Sequence, residues 1–334
     1  MTALPDEQRS RLREAKVGAL ARARIHHGEW ATVPFPSGAA ASRPGPGGAA
    51  LVLIENADER ALGLALLWAA RHAAGPLHVG VEATAEIAAL VARRAEPFRD
   101  VTVWHVAAPS MTPPPPPAPP HAGAAPPPPP APAAPPRAAG LEVVVEDGMT
   151  KGEWNGLEIV RVVGPDAQVE VGIGRFDREI AAMMRAGAEP DASIDRALQL
   201  VRRHRVAGAP PHPLRDLVPE RWVRRSVVEH PDLVGAAWLQ PVPTTIAPRN
   251  LRDRQPAAAL GERADGRPIL AVCISGADPD VVPTALDTQR WLAPDAEVVI
   301  ASVEVAAREL FVRVAEQSSV PVSWATVPAP WAPR

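Results

Sequence analysis

Cysteine, tyrosine and lysine are scarce or missing in this chain, and each gap excludes something. There is one cysteine, no tyrosine, and only two lysines, Lys16 and Lys151, against 33 arginines. A single cysteine excludes an intrachain disulfide and a cysteine-based zinc site. Cys273 stands in the apolar run PILAVCIS, where a small core residue fits. No apolar stretch approaches the roughly 18 residues of a membrane span, so no membrane partner is expected. The N-terminal MTALPDEQRSRLREAK is charged and has no apolar h-region, which argues against a signal peptide. A soluble cytoplasmic protein is the expectation. Neither GxGxxG nor GxxxxGK[ST] follows an apolar strand, so the sequence carries no NAD or P-loop nucleotide signature. The net charge of −3 marks neither a polyanion binder nor an acidic tail.

What is abundant is proline, arginine, alanine and glycine, the usage of a GC-rich bacterial genome. The 42 prolines in 334 residues are more than twice the usual share of about 5%. Sixteen of them fall in the 28 positions 109–136. Proline fixes φ and donates no N–H, so this stretch favours polyproline II and reads as a long disordered insertion. Its run PPPPPAPP suits a Pro-binding protein module, and it suits a semi-rigid spacer equally well.

The chain also repeats itself. Shifted by 220 residues, 49–107 lies over 269–327 without a gap, with 13 of 59 positions identical. LVLIENAD meets AVCISGAD, LVARRAE meets LFVRVAE, and Trp104 meets Trp324. Each copy reads as β-α-β-α-β. The expected fold is therefore α/β, with two duplicated halves at about 49–107 and 269–327. Between them LEVVVEDG, GEWNGLEIVRVVG and QVEVGIG read as three strands of an antiparallel meander, followed by helices near 176–186 and 191–205. A helix over 6–27 precedes the first half, and another lies around Glu220–Glu229. The expected segments are 1–108, 109–137 (Pro-rich linker), 138–208 (meander and helices), 209–265 (Arg/Pro-rich connector) and 266–334.

Three groups of residues carry candidate chemistry. Asp58, Asp278 and Asp280 follow the first strand of each copy, at the carboxyl ends where open α/β sheets bind ligands. They suit a divalent metal, and they suit helix caps. In the meander, a turn at Gly164–Ala167 sets Arg161 opposite Glu170. It leaves Glu158 bordering an apolar face of Val160, Val162, Val169, Val171 and Ile173. At the strand exit Arg175, Asp177 and Arg178 cluster, with Asp177 placed either to bind a metal or to cap the next helix. The third group is cationic: Arg202, Arg203, Trp222, Arg224 and Arg225 combine guanidinium with an aromatic face, as nucleic-acid or phosphate binding requires.

The segment GRFDRE, 174–179, resembles the G-x-x-D-R segment of RecB-type nucleases in the PD-(D/E)XK superfamily. That resemblance implies a metal-binding role for Asp177. It covers six residues, and no E-x-K follows. Two classes of function result. One is a protein that binds or acts on nucleic acid or a phosphorylated ligand, extending to a metal-dependent hydrolase. There Glu158, Glu170 and Asp177 hold the ion and Arg175, Arg178, Arg202 and Arg203 hold phosphate. The other is a non-catalytic scaffold or regulatory protein that recruits partners through its Pro-rich segment and Arg-rich surface.

Overall fold

The computed structural model describes residues 5–45, 47–72, 75–107, 110–117, 136, 139–146, 149–163, 167–174, 190–246, 250–303 and 308–333. Among them are three sheets, of six, four and five strands, and eight α-helices, a mixed α/β structure. The chain divides into two compact units. One comprises 1–122, 279–287 and 307–321; the other comprises 123–278, 288–306 and 322–334.

The first unit opens with α1 (Asp6–Arg24), which stops short of the expected 27. Its Val17, Leu20 and Ala21 are buried against Ala39, Ala41, Leu51, Leu53, Val106 and Met111. Strands β1 (Ala31–Phe35), β2 (Gly38–Arg43) and β3 (Ala49–Glu55) are antiparallel neighbours. After α2 (Ala61–His72), β4 (Leu77–Glu82) joins β3 in parallel; after α3 (Ala85–Ala95), β5 (Val101–Ala107) joins β4 in parallel. The interior of β3, ALVLI, is fully buried, which is why it reads as an unbroken apolar run rather than an alternating one. Strand β6 (Ser110–Thr112) folds back antiparallel on β5 and buries Met111. This corrects the expected linker, which was to begin at 109: residues 110–112 are a strand.

The second unit holds the meander. Its strands are β7 (Glu142–Glu146), β8 (Met149–Trp154), β9 (Leu157–Val163) and β10 (Gln168–Val171), all antiparallel in the order β10-β9-β8-β7. Residues 152–164, expected as one strand, form parts of two. Asn155 and Gly156 both have positive φ, 47° and 74°, the geometry of a two-residue hairpin turn. The expected register holds, with Gln168 facing Val163 and Glu170 facing Arg161. Helix α4 (Pro190–His204) covers this sheet, burying Ile194, Leu198 and Val201 against Leu157, Ile159 and Val160. The expected helix at 176–186 lies outside the described residues.

The stretch 209–265, expected as a connector, is largely folded. It contains the short α5 (Pro213–Asp216), α6 (Pro219–Glu229), a 3-10 turn at Pro231–Val234, and strands β11 (Trp238–Val242) and β12 (Ala257–Glu262). These strands begin the third sheet, in the order β11-β12-β13-β14-β15, where β13 is Pro268–Ile274, β14 is Glu297–Ser302 and β15 is Val322–Thr326. The β11/β12 and β12/β13 pairs are antiparallel, and β13/β14 and β14/β15 are parallel. The intervening helices are α7 (Val281–Leu292) and α8 (Arg308–Glu316). Cys273 is buried in β13, and burial pushes its thiol up to about 12, which suits a core residue and not a nucleophile.

Element bounds in the two α/β segments agree closely. Helix α2 at 61–72 and α7 at 281–292 differ by 220, as do β4 and β14. Gly80 faces Trp104 and Ile300 faces Trp324. The first parallel pair differs by one residue, with Leu51 facing His78 but Ala271 facing Val299. Each segment is also preceded by two antiparallel strands that went unforeseen. Their sequences, such as GAAASR and AAALGE, are rich in alanine and poor in β-branched residues, so strand propensity is weak.

Candidate functional site

In the second unit, alternation along two strands and the helical repeat bring seven charged side chains together. Glu142 and Glu153 stand directly opposite each other across β7 and β8. Lys151 shares a face of β8 with Glu153, two residues away. On α6, Arg221, Arg224 and Arg225 lie at spacings of three and four, on one side of the helix. The Asn155–Gly156 turn packs against the start of that helix. A Cβ on Gly156 would lie 2.4 Å from the backbone carbon of Arg221, so glycine is required by contact as well as by φ.

The result is a closed ring. Arg221 reaches Glu153 at 3.0 Å and Glu146 at 3.3 Å; Arg224 reaches Glu153 at 3.3 Å and also binds Glu146. Lys151 adds a third cation, 3.2 Å from Glu146. Arg225 pairs with Glu142 at 3.1 Å and with Glu229. Burial alone would raise the Glu146 carboxyl, but Arg224, Arg221 and Lys151 outweigh it and hold the group down to about 2. Glu153 shifts upward instead, because its burial exceeds what Arg224 and Arg221 offset. A pocket of about 460 Å³, counted out to solvent, opens beside the ring, with Glu146, Arg221, Arg224, Thr244, Asp253 and Gln255 in its wall. Every carboxylate oxygen of Glu146 and Glu153 has a cationic neighbour. The ring therefore ties α6 to the meander and leaves neither acid open for proton transfer.

Arg205 fastens the same region. It is fully buried, donates to the carbonyls of Asn155, Leu214, Arg215, Leu217 and Val218, and lies 4.9 Å over the Trp222 ring. The Asn155 side chain donates back to the Arg205 carbonyl at 2.7 Å.

Of the described residues expected to hold a metal, Asp58, Asp280, Glu158 and Glu170 lie against cations or a backbone N–H. Asp58 accepts from the Arg60 N–H at 2.9 Å, an ordinary turn into α2. Asp280, buried, takes a bidentate pair from Arg94 at 2.7 and 3.3 Å and a bond from the Thr284 hydroxyl at 3.0 Å. Beside it Arg93 grips Asp287 through two nitrogens, at 2.7 and 3.1 Å. Asp278 is buried and belongs to the other unit. Glu158 is buried and pairs with Arg161 at 2.8 Å, whereas Glu170 stands 4.0 Å from that guanidinium. Arg175, Asp177 and Arg178 lie outside the described residues. Among the described residues no three His, Cys, Asp or Glu side chains gather as a metal site.

The cationic candidates are divided too. Trp222 is buried under Arg205 with Trp331 edge-on at 5.9 Å, and Arg224 belongs to the ring. Arg225 is half-buried between two glutamates. Arg202 is exposed, its guanidinium 4.3 Å over Trp154, and Arg203 is exposed. The ring itself was legible only in part. Paired acids at the ends of EVVVE and the i, i+3, i+4 arginines of ERWVRR are visible, but nothing local joins them. Comparison with protein-family models, with curated proteins and with solved structures finds no match for this chain.

Proposed function

We propose that this is a non-catalytic scaffold or regulatory protein. Its α/β segments supply a rigid frame, and its proline-rich stretch and exposed arginines recruit partners. The observation that carries this reading is the use made of its acids: Asp58, Asp280, Glu158, Glu146 and Glu153 are all engaged in caps or ion pairs that serve the fold. The two β-α-β-α-β segments descend, on this reading, from one duplicated module. Their shared element order, the 220-residue offset and the matched Trp104 and Trp324 positions support that descent.

The test separates recruitment from folding. Residues 113–135 are replaced by a Gly/Ser stretch of equal length. This spares the strand that ends at Thr112 and the buried Pro136. Polyproline II buries little apolar surface, so the thermal midpoint is expected to move by less than about 2 °C. Titration with an SH3 or WW module, which grips polyproline II, is expected to bind the native chain and not the variant. Equal binding by both removes the recruiting role from the tract. Mn²⁺-dependent phosphodiester hydrolysis that disappears in Asp177→Asn would replace this reading with the metal-dependent one.

A further inference from the structure

Helix α4 ends at His204, and the stretch RVAGAPP carries the chain on to His212, which caps α5. The two imidazoles are stacked, with ring centres 3.6 Å apart and planes 10° from parallel. His212 Nδ1 accepts the Leu214 N–H at 3.2 Å, so the neutral ring carries its proton on Nε2. Both residues are partly exposed and within reach of solvent protons. The charged groups around the pair are Arg203 and Arg205 at the end of α4 and Arg215 and Asp216 on α5. Arg203 opposes a charge on His204, Arg205 and Arg215 donate to backbone carbonyls, and Asp216 favours the charge on Arg205. Among the described residues no carboxylate pairs with either ring.

We propose that this pair is an acid-released latch: protons on the two rings break the His212 cap and free the turn that carries α5 from the end of α4. Protonation of His212 turns Nδ1 from an acceptor into a donor that faces the Leu214 N–H, so the bond is lost. A charge on both rings also sets like charges one over the other at 3.6 Å. Partial burial, His212 and Arg203 all hold the His204 imidazole below its ordinary 6.5. A fold that lowers a histidine's proton affinity is weakened by the proton. The latch is therefore at full strength above pH 6.5 and weakens as pH falls below it. Arg205, pulled down only to about 10, stays charged throughout and keeps its carbonyls, so the loosening is confined to the cap and the turn.

Hydrogen exchange of the Leu214 amide in the native full-length chain tests the latch, read as protection relative to the unstructured chain at the same pH. Between about pH 7.5 and about pH 5, where histidine titrates, protection is expected to fall about three- to tenfold, the worth of one helix cap. Amides of β13, in the same unit, should keep theirs. His212→Asn retains a side-chain oxygen as the cap but cannot gain a proton, so its Leu214 protection should not change with pH. His204→Phe retains a stacked ring that cannot charge, so its loss should begin at higher pH than in the native chain. Leu214 protection that is flat with pH in the native chain, that falls equally in His212→Asn, or that falls together with β13 would overturn the latch. An onset unmoved in His204→Phe would overturn the role given to the stacked charges.

Discussion

Arg224→Met is expected to cost about 3–5 kcal/mol of stability, a large part of what a domain of ordinary stability has. The substitution removes one of two guanidiniums from a ring whose carboxylates are 4% and 1% exposed. Glu146 and Glu153 are then left to share Arg221, with Lys151 on Glu146 alone, and a buried charge left short of pairing is among the most destabilising defects known. Pairing Arg224→Met with Glu153→Met should recover much of the loss, because an apolar pair of similar volume often matches a buried ion pair. Urea titrations of both single variants and the double variant measure the coupling. A single-variant loss below about 1 kcal/mol would mean that the ring has little energetic role.

Acid exposes the same ring. The Glu146 carboxyl sits at about 2 in the fold against an ordinary 4.5. The unfolded chain therefore takes up this proton first as pH falls. Glu146 contributes its full stability above pH 4.5 and loses it progressively between 4.5 and about 2. Arg224→Met, which strips Glu146 of a cation, should flatten the stability profile across that window.

Arg205→Met is expected to lower the thermal midpoint of the second unit by roughly 6–12 °C, for a loss of about 3 kcal/mol or more. Five backbone carbonyls, from Asn155, Leu214, Arg215, Leu217 and Val218, lose the Arg205 donor, and of these Val218 keeps the Arg221 N–H. Burial pulls the Arg205 guanidinium down to about 10, which still leaves it charged near neutrality. Arg205→Lys should not rescue the loss. An ammonium has three donors on one atom and cannot span carbonyls that a planar fork with five N–H groups reaches. A lysine variant as stable as the native chain would show that charge, and not the fork, matters here. Calorimetric scans of the three proteins decide between them.

The contrast between what was readable and what was not follows the range of the forces. The Val163–Gln168 pairing was readable because a turn and a period of two define which residues face each other over a few positions. Helices α2 and α7 were readable from their apolar spacing. The hairpin at Asn155–Gly156 was missed in a stretch read as one strand, although an Asn-Gly pair between apolar runs is its signature. The alanine-rich strands β2 and β12 were not, because alanine has little strand preference and only the neighbouring β3 and β13 make them strands. The acids after the first parallel strand of each α/β segment were visible as a pattern. Their work as a turn at Asp58 and as an Arg94 partner at Asp280 depended on what the chain brought beside them. The sequence by itself determined the elements with a strong period or turn signature, the absence of an intrachain disulfide and the scarcity of amines. Only the tertiary structure decided the ring and the Arg205 clip. With 35 basic and 38 acidic residues, composition allows far too many pairings to choose among. Glu146 and Arg224 are 78 positions apart, and they meet because the Asn155–Gly156 turn sets β8 against the first turn of α6.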